Sequence, residues 1–177
     1  MKRQFKIIVL FALLIGSNSN AQSNLNLNSK TETLSINWPK DEDWHIVDQQ
    51  DNETGTMTAM ILLKGKETIV NHSEMVTRNI YHSPMTEPIE SEIEQLYEMY
   101  KKNAPTTKKA LIEKDEKAKH PWFIYKIVAP TETLIFYAIQ GNYGSYSSLW
   151  STKQKELTPQ SQEKWVEIFK SSKIILE

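Results

Sequence analysis

Apolar residues follow one of two periods along most of this chain, and the shorter period predicts strands. In the segments HPWFIYKIVAP and ETLIFYAIQ, both alternating sets of side chains are largely apolar. A strand that is apolar on both faces belongs in the middle of a sheet whose two faces are covered. The segment TAMILL has the same character. The pattern therefore predicts at least three central strands.

Shorter segments with a more polar pattern predict further strands, separated by turns. These segments are LSINW, WHIVDQQ and EMVTRNIYH. In the last of them, Val76 and Ile80 would lie on one face of the strand, and Met75 and Tyr81 on the other. Folded structure is therefore expected to begin near Leu34.

The longer period, with apolar residues three and four positions apart, predicts two helices. In TEPIESEIEQLYEMYKKNA, Thr86 is the predicted N-cap and Pro88 lies in the first turn. In TPQSQEKWVEIFKSSK, Thr158 is the predicted N-cap and Pro159 takes the first helical position. The first apolar stripe comprises Ile89, Ile93, Leu96, Tyr97 and Tyr100, and the second comprises Trp165, Val166, Ile168 and Phe169. Each helix is expected to pack on the sheet, which predicts an α+β fold with a largely antiparallel sheet flanked by helices on both faces.

The N-terminal segment MKRQFKIIVLFALLIGSNSNAQSN has the layout of a secretory signal peptide. Lys2, Arg3 and Lys6 precede an apolar run from Ile7 to Ile15, which is shorter than the roughly 20 residues that span a bilayer. The sequence therefore predicts export to the periplasm or the exterior of a Gram-negative bacterium, without stable membrane insertion. The expected division is a signal peptide at 1–22, a flexible leader at 23–32 and a single domain at 33–177.

Composition narrows the classes of function. The chain has no cysteine, so it can form no disulfide, has no lipoprotein-type attachment site and has no cysteine nucleophile. Its formal net charge is −1, and loss of the basic residues at the N-terminus would make it more acidic. Because nucleic-acid binding usually requires a basic face, no nucleic-acid partner is predicted.

No motif for catalysis or metal binding is recognisable. The acidic turn DQQDNETG lacks the residue order of a calcium loop, and there is no G-x-S-x-G and no glycine-rich phosphate loop. Glu90, Glu92 and Glu94 are interpreted as charges that favour the dipole at the start of a helix. The sequence predicts no cofactor, no metal and no enzymatic activity. The four histidines have no metal-ligand spacing: His45, His72, His82 and His120.

The stretch QGNYGSYSSLW permits two interpretations. Gly141-Asn142 predicts a two-residue hairpin turn, which places Tyr146 and Trp150 on the same face as Ile139. They would extend an existing apolar row, which favours burial. The alternative is a recognition surface, since aromatic residues beside a turn are typical of such surfaces. The candidate binding residues are Trp122, Tyr143, Tyr146 and Trp150.

The order of elements, with NWPKDEDW near the start and WVEIFKSSKIIL at the end, resembles the PsbP-like or Mog-type α/β/α sandwich. That family includes an extrinsic subunit of photosystem II, Ran-binding nuclear-transport factors and periplasmic proteins of the DcrB kind. The segment ETIVNHSEMVT resembles one that recurs in uncharacterised secreted bacterial proteins. The resemblance implies a binding or assembly role without catalysis.

Three hypotheses follow. The first is an exported, non-catalytic binding or assembly protein of the bacterial envelope, monomeric, which contacts a partner protein or a small ligand. The second is a hydrolase whose residues come together only in the fold. The third is a structural envelope-stress protein that has no ligand.

Overall fold

The computed structural model describes residues 31–84 and 88–176. The strands are β1 (Glu32–Ser35), β2 (Trp44–Asp51), β3 (Met57–Lys64), β4 (Glu74–Tyr81), β5 (Lys108–Asp115), β6 (Trp122–Ala129), β7 (Glu132–Gln140), β8 (Ser145–Thr152) and β9 (Lys173–Leu176). The helices are α1 (Glu90–Asn103) and α2 (Pro159–Lys170). No helix in these two ranges is long and apolar enough to cross a membrane.

Seven of the strands form one antiparallel sheet in the order β2-β3-β4-β8-β7-β6-β5. The remaining two, β1 and β9, pair antiparallel in a small separate sheet. The predicted α+β class and the antiparallel character of the sheet are confirmed. The three segments predicted to be central correspond to β3, β6 and β7, and each of these strands has a neighbouring strand on both sides.

Each helix covers a different face of the seven-stranded sheet. On β7, Phe136 belongs to the cluster beneath α1, whereas its neighbours Ile135 and Tyr137 belong to the cluster beneath α2. Successive side chains of a strand point to opposite faces, so the two helices lie on opposite sides. Ile93, Leu96 and Tyr100 of α1 enter the core together with Ile89, which precedes the helix; from α2, Trp165, Val166, Ile168 and Phe169 do so.

The small β1–β9 sheet extends the layer that contains α2. Leu34 is 2 % exposed and belongs to the same cluster as Trp165. The half-buried Arg78 side chain donates a hydrogen bond to the Leu34 carbonyl oxygen at 2.8 Å. β1 begins at Glu32, which is the last residue of the segment predicted as leader.

The start of α2 agrees with the sequence prediction, whereas that of α1 is only partly described. The Ser161 N–H donates to Thr158 Oγ1 at 3.1 Å, and Pro159 occupies the first turn. α1 begins at Glu90, and the preceding Ile89 provides no side-chain cap. Thr86, the predicted cap, lies outside the described residues.

Replacing Thr158 with alanine is expected to lower the free energy of unfolding by about 1 kcal/mol, because the Ser161 N–H loses its acceptor. Thr158→Ser keeps the hydroxyl and is the matched control. Urea denaturation of both variants measures the difference. Equal losses in the two variants would contradict a capping role.

Candidate functional site

The predicted aromatic residues do not form one surface. Tyr146 and Trp150 are each 2 % exposed, and the Trp150 ring stacks on Trp165 of α2 with ring centroids 4.8 Å apart. Trp122 is half-buried against the same cluster, and Tyr143 is 43 % exposed. The core interpretation is confirmed for Tyr146 and Trp150. Because α2 and the sheet enclose them, neither side chain can line a surface that a partner reaches.

The hairpin between β7 and β8 is wider than predicted. Gln140 pairs with Ser145, and the Gly141 N–H donates to the Gly144 carbonyl oxygen at 2.8 Å, so Asn142 and Tyr143 form the tip. The predicted pairing is therefore shifted by two residues. A shift of two keeps every side chain on its face, which is why the predicted faces of β8 are nevertheless correct.

Glu32 holds this hairpin in place. Its carboxylate accepts hydrogen bonds from the Asn142 side chain at 2.8 Å and from the Tyr143 N–H at 2.9 Å. Partial burial acts to raise the pKa of Glu32, but these hydrogen bonds outweigh that effect and lower it. The sequence pattern placed Glu32 in the leader, so this contact was missed.

The interior of the α1 face contains a buried carboxyl group. Glu92 is 1 % exposed, and its Oε1 accepts hydrogen bonds from Asn79 Nδ2 at 2.8 Å and Ser147 Oγ at 2.7 Å. The Tyr81 side chain lies against the same carboxyl, and burial raises the pKa of Glu92. Glu92 lies in the first turn of the helix, as predicted, but burial disfavours its charged form and its side chain serves as a buried acceptor. The same contact gives the buried Ser147 hydroxyl of β8 an acceptor.

A hydroxyl, an imidazole and a carboxylate lie close together near the start of β3. Thr58 Oγ1 lies 2.6 Å from Asp51 Oδ1 and 2.8 Å from His82 Nε2. The carboxylate can only accept, so the single hydroxyl proton goes to Asp51, and His82 donates to the Thr58 oxygen. A nucleophile would need the reverse, with its proton passed to the histidine. The trio therefore acts as a bridge between β2, β3 and the end of β4.

An open cleft of about 810 Å³ lies at the end of the sheet where β4 begins and β8 ends. Its walls are the β3–β4 connection and the residues that follow β8. Nearly all of the lining side chains are polar: Lys66, Glu67, Thr68, Asn71, His72, Ser73, Glu74, Thr152, Lys153 and Gln154.

Backbone contacts hold the cleft wall in place. Thr68 and Asn71 form an isolated bridge, with the Asn71 N–H 2.9 Å from the Thr68 carbonyl oxygen. Between them, Ile69 packs against an apolar cluster that includes Leu63. The Lys153 N–H donates to the Ser73 carbonyl oxygen at 3.3 Å, which joins the two walls.

Both acidic groups of the cleft have internal partners. Glu67 accepts hydrogen bonds from the Ser73 N–H at 3.1 Å and from the Ser73 hydroxyl at 2.6 Å. Glu74 accepts from Trp150 Nε1 at 3.0 Å and forms an ion pair with Lys64 at 2.9 Å. Because the Ser73 hydroxyl proton is committed to Glu67, Ser73 is not activated by the neighbouring histidine.

The two lysines of the cleft, Lys66 and Lys153, differ from its acids in their ion pairing. Within the described part of the chain, neither Lys66 nor Lys153 forms an ion pair with a carboxylate. His72 is half-buried, and its Nδ1 lies 3.0 Å from the Ile69 carbonyl oxygen, so Nδ1 carries a proton. Burial and the positive charge of Lys153 lower the pKa of His72, although Glu67 partly offsets them. Among the described residues, the cleft thus presents two lysines without an ion pair beside a histidine whose charged form is disfavoured.

Most of one wall comes from the segment ETIVNHSEMVT. Lys153 comes from a position about 80 residues later, and no local pattern joins it to that segment. Across residues 31–84 and 88–176, no three histidine or acidic side chains are arranged to hold a metal ion. No protein-family model matches the chain, and no curated protein matches it.

Proposed function

We propose that this chain is an exported, non-catalytic binding or assembly protein of the Gram-negative envelope, of the PsbP-like α/β/α type. It contacts a small ligand or a partner through the cleft between the β3–β4 connection and the end of β8. The observation that carries this proposal is a polar cleft with braced walls, unpaired lysines and a hydroxyl already bonded to a carboxylate. Such a site is suited to holding a ligand and poorly suited to attacking one.

The arrangement of layers supports the family assignment. A seven-stranded antiparallel sheet with one helix on each face is compatible with a three-layer sandwich. A fold of this kind does not fix a function. The binding role therefore depends on the cleft and not on the resemblance.

A hydrolase remains the second candidate because Asp51, Thr58 and His82 lie within hydrogen-bonding distance of one another. Thr58 is 6 % exposed, and its proton goes to the carboxylate. Both features oppose a nucleophilic role. Hydrolysis of a panel of simple esters that disappears in Thr58→Ala but survives in Thr158→Ala would favour this candidate over binding.

Cell fractionation followed by native mass spectrometry of the protein tests the proposal. We expect a chain shortened near residue 22 in the periplasmic or extracellular fraction, carrying a second protein or a small adduct. A Lys153→Glu variant is expected to lose that adduct. An unprocessed chain in the cytoplasm would contradict export, and a bare mass from envelope extract would contradict stable binding.

A further inference from the structure

We propose that the cleft binds a small oxyanion, a phosphate or a carboxylate group, through the ammonium groups of Lys66 and Lys153, with His72 as an additional donor when its Nε2 is protonated. This assignment rests on the proposed function, because it names the ligand class of the same cleft. The β3–β4 connection provides Lys66 and His72, and the residues after β8 provide Lys153.

The balance of charge in the cleft favours an anion. The charge of Glu74 is matched by Lys64, and Lys64 also pairs with Glu42. Glu67 keeps its negative charge, because both hydrogen bonds from Ser73 go to Oε1 and no ion pair involves Glu67 within the described residues, so two lysines face one uncompensated acid and leave a net positive charge. Lys66 and Lys153 have no such ion pair within the described residues. An incoming oxyanion therefore meets two available cations.

Lys153 has one other acidic neighbour. Glu132 interacts with it electrostatically, but Glu132 also accepts a hydrogen bond from Tyr100 at 2.9 Å. Burial raises the pKa of Glu132. A buried carboxyl beneath Lys153 reduces its charge only in part, and the exposed end of the lysine stays available.

His72 is a titratable group in the cleft, so its pKa should change when an anion binds. Its Nδ1 proton is held by the Ile69 carbonyl oxygen, so Nε2 is the nitrogen that takes up a second proton. The charged groups that act on His72 are Lys153, which disfavours that proton, and Glu67, which favours it. An anion that neutralises Lys153 removes the repulsion, so His72 is expected to bind a proton more tightly when the anion is present.

The cleft has room for a small molecule. Its volume of about 810 Å³ lies within the range of small-molecule sites, roughly 300–1,000 Å³, but its open shape and polar lining suit a solvated, charged group better than an apolar ligand. Lysines act as mobile point charges that can approach phosphate or carboxylate oxygens from different directions. The sequence has no glycine-rich phosphate loop, so side chains and not backbone N–H groups would provide the contacts.

Two-dimensional NMR titration of the protein with inorganic phosphate, and in parallel with citrate, tests the proposal at low and constant ionic strength. We expect saturable shifts around residues 66–73 and 152–154, with a dissociation constant on the order of 1 mM. The pKa of the His72 ring should rise in the saturated protein. A response to phosphate alone or to citrate alone identifies which oxyanion the cleft accepts.

Lys66→Gln and Lys153→Gln should each weaken binding about two- to fivefold, as expected for an exposed charge contact. Lys119→Gln is the matched control, since it removes one exposed lysine beyond the opposite end of the sheet, where Asp115 pairs with Trp122. Equal weakening in all three variants, or shifts without saturation, would reduce the effect to general electrostatics and overturn the proposal. If phosphate and citrate fail while native mass spectrometry still retains a partner, the anion assignment fails and the binding function stands.

Discussion

Replacing Trp165 with alanine is expected to lower the free energy of unfolding by about 3–5 kcal/mol, the usual cost of removing a buried aromatic side chain. Trp165 is 2 % exposed. Its ring centroid lies 4.8 Å from Trp150, 5.7 Å from Trp44, 5.7 Å from Phe169 and 6.5 Å from Trp38. The substitution thus opens a cavity where α2, the sheet and the segment before β2 meet.

Urea denaturation followed by far-ultraviolet circular dichroism measures this loss. Trp122→Ala is the control, because Trp122 packs at the margin of the same cluster and is only half-buried; its loss should be clearly smaller. Trp165→Phe should fall between the wild type and Trp165→Ala, which keeps the comparison usable if the alanine variant does not fold. Similar losses for Trp122→Ala and Trp165→Ala would contradict a central role for Trp165.

The motif NWPKDEDW has a physical role in this cluster. Trp38 and Trp44 lie near each other with ring centroids 6.1 Å apart, and Trp44 Nε1 donates to Glu42 at 2.9 Å. Partial burial acts to raise the pKa of Glu42, but hydrogen bonds from Lys164, Lys64 and Trp44 lower it to about 2. A buried indole needs an acceptor for its N–H, and the acidic residues of the motif provide it.

The periodic parts of the sequence predicted the fold well. β6 and β7 are apolar on both faces because a helix covers each face. The stripe of α2 and its Thr158 cap were also predicted, since both signals lie within a few residues of each other in the chain. The spacing of apolar residues is enough to predict an element when that element packs against one continuous apolar layer.

Long-range polar contacts could not be predicted in this way. Glu92 lies in the first turn of α1, where the sequence suggests an exposed carboxylate, but the packed side chain contacts Asn79 of β4 and Ser147 of β8. The hairpin register depends on Glu32, more than 100 positions away in the chain. Lys66 and Lys153, which line the same cleft, are likewise far apart in the sequence. Each contact is fixed by tertiary packing, for which a single sequence carries no local pattern.

Replacing Glu92 with glutamine is expected to stabilise the protein at pH 8 relative to the wild type, with a smaller gain near pH 4. Burial raises the pKa of Glu92 in the folded state above its unfolded value of about 4.3. The folded state therefore holds the proton more tightly than the unfolded state. The stabilising contribution is complete below the unfolded pKa and is lost as pH rises through the folded pKa.

The size of this loss is about 1.4 kcal/mol for each unit by which the folded pKa exceeds the unfolded one. Glutamine keeps an oxygen that can accept from Asn79 and Ser147 but carries no charge at any pH. Urea denaturation from pH 4 to pH 8 should therefore show a flatter dependence for Glu92→Gln than for the wild type.

Two further substitutions separate charge from hydrogen bonding. Glu94→Gln makes the same change on the same helix at an exposed side chain that pairs with Lys109, and it should leave the pH dependence almost unchanged, with a loss of at most about 1 kcal/mol. Glu92→Leu removes the acceptor altogether, which strands the Asn79 and Ser147 donors and should make the protein about 1–3 kcal/mol less stable than Glu92→Gln at every pH. If Glu92→Gln proved less stable than the wild type at pH 8, the carboxylate would have to be ionised and favourably solvated inside the protein. That result would require a donor that stabilises the charged form in addition to Asn79 and Ser147, and the Tyr81 hydroxyl, which lies against the same carboxyl, is one candidate.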